Sequence, residues 1–310
     1  MPLNPKFEQY LKQDFDSLYS LGPEKLRAIY AKMMLEGKGP VEEVGSVEDR
    51  IVKTSVRDTL IRIYRPKTDG IHPVVIWMHG GGFVLGDIEH GDSTCRQITN
   101  NVPCTVISIE YGLCPPFNFP DPENECYEIV KWVYENAKEL NIDPNRICLA
   151  GDSAGASLAV VITHLARERK EFPIVFQVLV YGCYDWNNIG NRKSREENGK
   201  GYRLTSYGID WHNRNHLKDI SDGLNPLVSP LLSKDFSNLP PALIITAEFD
   251  PLRDESIDYA KLLNDAGTPA YLKNYEGIIH GFLAFNQLGL EEVKDAIDLM
   301  SEKIKEAFSC

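Results

Sequence analysis

No stretch of this chain approaches the ~20 consecutive apolar residues that a membrane-spanning helix requires. Met1 to Tyr10 hold no apolar h-region, so no signal peptide is expected. Asn-x-Ser/Thr sequons are absent. So is any CxxC pair. The seven cysteines, Cys95, Cys104, Cys114, Cys126, Cys148, Cys183 and Cys310, are odd in number and irregularly spaced. That excludes a zinc ribbon or a redox dithiol. Several lie in apolar runs, as Cys148 does in Arg146-Ile147-Cys148-Leu149, and read as small buried hydrophobes of a reducing compartment. A cytoplasmic location is expected. Positive charge is also short: 33 Lys and Arg face 45 Asp and Glu, a net charge of -12. Such a surface repels phosphate backbones, so nucleic acid is not an expected partner. No GxGxxG or GK[ST] motif marks a nucleotide site. No metal or other cofactor is called for.

What remains is 310 residues, 43% apolar and 25% charged. This is enough for one large α/β domain, expected over residues 1–310. Short Val- and Ile-rich runs at Thr59–Tyr64, Pro73–Met78, Thr105–Glu110, Ile147–Ala150, Ile174–Tyr181 and Ala242–Thr246 read as strands. Helical periodicity appears over Asn124–Leu140, Ser153–Arg169, Asp254–Ala266 and Glu291–Phe308. The alternation predicts a mostly parallel sheet with helices on both faces.

Two segments fall outside that rhythm. Phe7, Tyr10, Leu11, Phe15, Leu18 and Tyr19 recur at helical spacing up to Gly22-Pro23. Leu26, Ile29, Tyr30 and Met33 mark a second helix, ending near Gly37 and Gly39. Polar, Gly-containing Asn187–Arg203, with helix-like sequence around Tyr207, Ile209, Trp211 and His216 after it, breaks the strand-helix order as an insertion over Asn187–Leu224. Together with residues 1–45 it is expected to form a helical cap over the sheet's active edge. The aromatics Phe7, Tyr10, Phe15 and Trp211 predict an apolar, size-limiting pocket beneath it.

Gly151-Asp152-Ser153-Ala154-Gly155 lies between an apolar strand and a helical run. A serine on such a turn is lifted clear of the sheet, at the positive end of the following helix, and the small residues at Gly151 and Gly155 permit close packing. Ser153 is the candidate nucleophile. His79-Gly80-Gly81-Gly82-Phe83 directly follows the strand Pro73–Met78. Its glycines can turn amides outward toward an oxyanion, with Ala154 adding another.

A serine hydroxyl needs a base held in one tautomer. Among the seven histidines, His79 belongs to the glycine loop, with a structural role. His72 and His90 sit in polar loops, His164 is mid-helix, and His212 and His216 fall in the cap. His280 remains, in a late loop before the final helix. The orienting acid is expected between serine and histidine, at a strand end. Asp250 ends the Ala242–Thr246 strand segment, whereas Asp254 lies in a first helical turn, where acids are common for other reasons. Asp250 is preferred, with Asp254 and then Glu248 behind it.

His79-Gly80-Gly81-Gly82, Gly151-Asp152-Ser153-Ala154-Gly155, Asp250-Pro251-Leu252-Arg253-Asp254-Glu255 and His280-Gly281-Phe282 together resemble the hormone-sensitive-lipase family of α/β-hydrolases. Phe119-Pro120 and Ser229-Pro230-Leu231 are similar as well. The resemblance implies an α/β-hydrolase fold and a cofactor-free carboxylic ester hydrolase acting on short- to medium-chain acyl esters through an acyl-enzyme. An amidase or lactonase would use the same residues, and a receptor-like binder is the non-catalytic alternative on this fold. The resemblance further implies Gly81, Gly82 and Ala154 as oxyanion donors, and a homodimer formed along an edge strand at Tyr271–Tyr275. One segment departs. Where the family reads Y-R-L-A-P-E, this chain has Tyr111-Gly112-Leu113-Cys114-Pro115-Pro116. The replacement of arginine and glutamate puts the rigidity of that loop in question.

Overall fold

Between His72 and Met78 every residue after the first is buried, the mark of a strand covered on both faces. The computed structural model describes residues 2–37 and 41–309. Met1, Gly39 and Cys310 therefore lie outside the described residues. In chain order the elements are α1 (Phe15–Tyr19), α2 (Pro23–Gly37), β1 (Ser46–Lys53), β2 (Asp58–Arg65), β3 (His72–Met78), α3 (Asp92–Asn101), β4 (Thr105–Glu110), α4 (Asp121–Glu135), α5 (Ala137–Leu140), β5 (Ile142–Asp152), α6 (Ala154–Arg169), β6 (Phe176–Val180), α7 (Lys193–Glu197), α8 (Ser206–His216), β7 (Ala242–Phe249), α9 (Arg253–Asp265), β8 (Ala270–Ile279) and α10 (Glu291–Phe308).

The eight strands form one sheet in the order β1-β2-β4-β3-β5-β6-β7-β8. The β1–β2 and β2–β4 pairs are antiparallel, and all the others are parallel. Alternation along β3 divides the core. Val74, Ile76 and Met78 pack with α4 and α6 on one face, while Val75 and Trp77 pack with α3 and α10 on the other. Met78 lies opposite Gly151, and Asp152 opposite Val180. The C-terminal ends of β3, β5 and β6 thus finish at one level, where open α/β sheets place their sites.

The elements depart from the sequence expectations for identifiable reasons. The β1 strand was not anticipated because it is an edge strand carrying Glu48, Asp49 and Arg50, with only Val52 buried. Helix α3 was also unexpected; its polar residues Asp92, Ser93, Thr94 and Thr99 are buried. The helix expected over Asn124–Leu140 begins three residues earlier, with Asp121, Pro122 and Glu123 in its first turn. It breaks at Asn136, whose side chain caps the Trp132 carbonyl (2.8 Å). The first expected helix is two 3-10 turns followed by α1, which starts where Asp14 accepts from the Ser17 amide (3.2 Å). The strand expected over Ile174–Tyr181 ends at Val180, because Tyr181 adopts φ +40°.

Helices α2 and α8 pack on the loops that follow β3 and β4. Arg27 of α2 donates to the Val84 (2.8 Å), Cys114 (2.9 Å) and Pro115 (2.6 Å) carbonyls. His216 of α8 meets Glu123 of α4 at 3.1 Å, both buried, and stacks on Phe83 with centroids 3.9 Å apart. Helix α1 reaches α8 through Tyr19 and Trp211, 5.0 Å between centroids.

Candidate active site

Ser153 occupies the turn between β5 and α6 at φ +53°, ψ -119°. A non-glycine residue holds that conformation at a cost of about 1–3 kcal/mol, which the surroundings must offset. The Ser153 amide donates to the Val180 carbonyl (2.8 Å). The small neighbours have a direct reason: a Cβ added at Gly151 would lie 2.5 Å from the Gly155 backbone carbon, and one at Gly155 would run into the Met78 carbonyl.

Three side chains distant in sequence meet here. Ser153 Oγ lies 3.0 Å from His280 Nε2. His280 Nδ1 lies 2.8 Å from Asp250 Oδ2. The other oxygen of Asp250 accepts from the Leu252 amide (2.7 Å), and its carboxylate is fully buried. Asp250 directly follows β7 and His280 directly follows β8, so sheet pairing fixes their approach. The two rival acids point elsewhere. Asp254 accepts from the Ser194 amide (2.9 Å), and Glu248 from the Gly277 amide (2.7 Å).

The loop after β3 brings Gly81 (φ +118°) and Gly82 (φ +60°) into the left-handed region. The Val84 and Leu85 amides donate to the Gly81 carbonyl (3.1 and 2.8 Å), folding the loop back on itself. Ala154 is the first residue of α6, so its N–H has no acceptor within the helix. Gly80 and Asp152 tie the two motifs together, the Gly80 amide donating to Asp152 Oδ1 (2.9 Å). Asp152 Oδ2 lies 3.1 Å from His90 Nε2 and accepts from the Tyr181 hydroxyl (3.4 Å). Burial pushes the Asp152 carboxyl up, but His90, His79 and the Gly80 amide together outweigh it, and the net shift is downward. His79 donates from Nδ1 to the Gly80 carbonyl (2.7 Å) and stacks on Tyr111, 4.2 Å between centroids. Its burial lowers the imidazole pKa to about 4, so it is neutral in the folded protein at pH 7.

Sequence reasoning missed His90. It was read as a polar loop residue, yet its side chain is only 7% exposed, holds Asp152, and stacks on Tyr30 of α2 at 6.0 Å. Its surroundings are polar because they are a network, a distinction that sequence polarity does not carry. The expected pocket aromatics also need correcting. Phe7 and Tyr10 pack on Phe285, Phe15 on Tyr10 and Trp211 on Tyr19. The cleft beside Ser153 and His280, about 660 Å³ with its open mouth included, is instead walled by Tyr19, Tyr30, Trp186, Leu204 and Ile209. The divergent loop after β4 is held from outside itself. Glu125 accepts from the Gly112 amide (2.7 Å) and pairs with Arg57, while Arg27 grips Cys114 and Pro115. No cluster of His, Cys, Asp and Glu among the described residues is placed to hold a metal ion, and no described helix is long and apolar enough to cross a membrane.

A strand-to-helix serine, a histidine after the last strand and a glycine loop after β3 define the class. The profile of the family described as alpha/beta hydrolase fold matches residues 75–284. The chain belongs to that family, in its hormone-sensitive-lipase-like branch. It is 34% identical to an arylesterase of Saccharolobus solfataricus over 287 residues, 91% of this chain and 93% of that protein. Among solved structures, a hyperthermophilic esterase of Pyrobaculum calidifontis superposes with a TM-score of 0.88 at 37% identity, covering 99% of each chain. An ester hydrolase from the metagenome of Lake Arreo, solved with a bipyridine phosphonate derivative, superposes with a TM-score of 0.93 at 33% identity, covering 99% of this chain and 100% of that one.

Proposed function

We propose that this enzyme, a carboxylic ester hydrolase, cleaves its substrate through an acyl-enzyme on Ser153. The observation that carries the reading is the unbroken chain from Ser153 Oγ through His280 to buried Asp250. Ser153 attacks the ester carbonyl as His280 Nε2 takes its proton. The amides of Gly81, Gly82 and Ala154 hold the oxyanion. His280 then protonates the departing alcohol, and a water deprotonated by His280 releases the acid. Asp250 stays ionised, fixes the tautomer and stabilises the imidazolium. His79, Gly80, Gly151, Asp152 and Gly155 support the two motifs. A binder that merely holds a ligand has no use for an imidazole 3.0 Å from the serine hydroxyl, so catalysis is favoured over a receptor role.

The finer reading is a single domain, residues 1–310, capped by residues 1–45 and about 187–224, acting on short- to medium-chain acyl esters. The aromatic walls of the cleft support the length limit. Amides and lactones remain chemically accessible to the same residues. Six described cysteines are buried and unpaired, which supports a cytoplasmic site of action. The outer edge of β8 carries exposed Tyr271 and Leu272, in keeping with a homodimer there, and the net charge of -12 disfavours nucleic acid.

The test is a 4-nitrophenyl ester panel of increasing acyl length, followed by a serine-directed phosphonate and mapping of the labelled residue. Label on Ser153, with a fall of about 10⁴-fold or more in kcat for Ser153→Ala, is expected. Label on another serine, or turnover retained by a folded Ser153→Ala protein, overturns the assignment.

A further inference from the structure

The cleft that holds Ser153 and His280 is also lined by Arg203, a cation with no role in the acyl-transfer chemistry. Its guanidinium is partly buried and makes two hydrogen bonds, both to uncharged acceptors. Nη1 donates to the Gly281 carbonyl (3.1 Å), one residue beyond the catalytic imidazole. Nη2 donates to the Tyr30 hydroxyl (3.2 Å). The group lies over the Phe285 ring at 5.3 Å and the Tyr30 ring at 5.9 Å. Among the described residues no carboxylate lies within ion-pair distance of it.

That sets Arg203 apart from the other partly buried arginines. Arg195 pairs with Glu255, Arg192 with Asp258, Arg62 with Asp49 and Arg57 with Glu125. Arg27 also lacks a carboxylate but is engaged by three carbonyls. Two nearby acids have partners of their own, since Asp16 accepts from Thr205 Oγ1 (2.5 Å) and Asp152 is held by Gly80 and His90. A cation withdrawn from water with no counter-charge is unfavourable unless something supplies one. A guanidinium has five donors, arranged as a fork that fits a carboxylate. The protein's net charge of -12 offers anions no general attraction, so any pull on them must be local.

We infer that Arg203 is a specificity residue, and that the preferred substrates are esters bearing a second, anionic group, a carboxylate above all, which pairs with Arg203 while the ester carbonyl sits at Ser153. This deepens the esterase reading and rests on it. The anion can belong to the acyl part, as in a half-ester of a dicarboxylic acid, or to the alcohol part. The positive charge serves either, and Arg203 does not enter the acyl-transfer steps themselves.

The experiment measures kcat/KM for two matched pairs. Mono(4-nitrophenyl) glutarate is compared with 4-nitrophenyl hexanoate for an anion on the acyl side, and 4-carboxyphenyl acetate with phenyl acetate for one on the alcohol side. Each pair is run with the wild type, Arg203→Gln and Arg203→Lys. In at least one pair the anionic-to-neutral ratio should fall about tenfold or more in Arg203→Gln, chiefly through KM, and recover in part in Arg203→Lys. That pair identifies the side of the ester that carries the anion. Ratios unchanged in both pairs, or equal loss on anionic and neutral esters, would make Arg203 only a tether between Tyr30 and Gly281 and overturn the inference. Should neither variant fold, the wild type decides. Its anionic-to-neutral ratio must drop when salt is raised to about 1 M, where the Debye length shrinks to about 3 Å, and a flat ratio refutes the pairing. Failure of the esterase reading looks different, because the wild type would then turn over none of the four esters.

Discussion

Replacing Asp250 by Asn tests the site at its deepest point. The two carboxylate oxygens serve two donors: Oδ2 faces His280 Nδ1 at 2.8 Å and Oδ1 faces the Leu252 amide at 2.7 Å. An asparagine has one acceptor oxygen and one donor amide. With its oxygen toward His280, its NH2 group confronts the Leu252 N–H, and a buried clash of donors costs about 1–3 kcal/mol. With its oxygen toward Leu252, the NH2 group faces Nδ1 and can be accepted only if the imidazole moves its proton to Nε2. That rearrangement avoids the clash and so prevails. It also leaves a proton where Ser153 needs an acceptor, and it removes the charge that stabilises the imidazolium. The expected loss is about 10⁴-fold in kcat, or about 5.5 kcal/mol of barrier, in a protein that still folds. Asp254→Asn is the control. Asp254 holds the Ser194 amide at 2.9 Å and has no contact with His280, so its loss should lower stability by about 1 kcal/mol while kcat stays within about threefold of the wild type. The assay is single-turnover and steady-state hydrolysis of a 4-nitrophenyl ester, with thermal denaturation run in parallel. A folded Asp250→Asn enzyme within tenfold of the wild type, or an Asp254→Asn enzyme crippled to the same degree, would refute the assignment.

Gly81→Ala places a Cβ at φ +118° and 2.5 Å from the Leu85 carbonyl carbon. Displacing that amide should lower kcat about 10²–10³-fold, with KM for the ester much less affected in steady-state kinetics. Glu255→Gln leaves the buried Arg195 without its counter-charge, and its single acceptor oxygen cannot serve both Arg195, which pairs with Glu255 Oε1, and the Tyr184 and Asp185 amides, which Glu255 Oε2 accepts at 2.7 and 2.8 Å. A loss of about 3–5 kcal/mol, or roughly 5–8 °C in Tm for a chain this long, is expected by calorimetry. His164 is buried far along α6, and burial depresses its pKa to about 4. Between about pH 6.5 and pH 4 the unfolded chain binds a proton there that the folded chain does not, so stability falls as pH drops through that window. In His164→Gln, urea unfolding between pH 6 and pH 5 should show a pH slope shallower by up to about 1.4 kcal/mol per pH unit; an unchanged slope contradicts the assignment.

The sequence was most legible where chemistry restricts residue choice. Few residue types can turn the chain at Ser153 between β5 and α6, because a Cβ at Gly155 meets the Met78 carbonyl. Buried strands such as β3 must be apolar throughout. The edges were less legible. The β1 strand carries the consecutive charges Glu48, Asp49 and Arg50 on a solvated edge, and that pattern is shared with many loops. Helix α3 buries polar residues, Tyr64 donating to Asp92 at 2.9 Å, so its periodicity does not stand out against the surrounding polarity.

The two segments expected to form a cap were the least legible, and for a different reason. Their aromatics could be counted, but which of them would face the cleft depended on partners elsewhere in the chain. Phe7 and Tyr10 are drawn away by Phe285, and Phe15 by Tyr10, leaving Tyr19 and Tyr30 to line the site. Tyr30 then meets His90, His90 meets Asp152, and Asp152 holds the Gly80 amide. A residue of the N-terminal segment is thereby linked through three contacts to the loop that presents Gly81 and Gly82. Removing α2 therefore does more than open the cleft. It also leaves His90 without the ring stacked upon it, so an enzyme lacking the first 37 residues should lose kcat as well as substrate affinity.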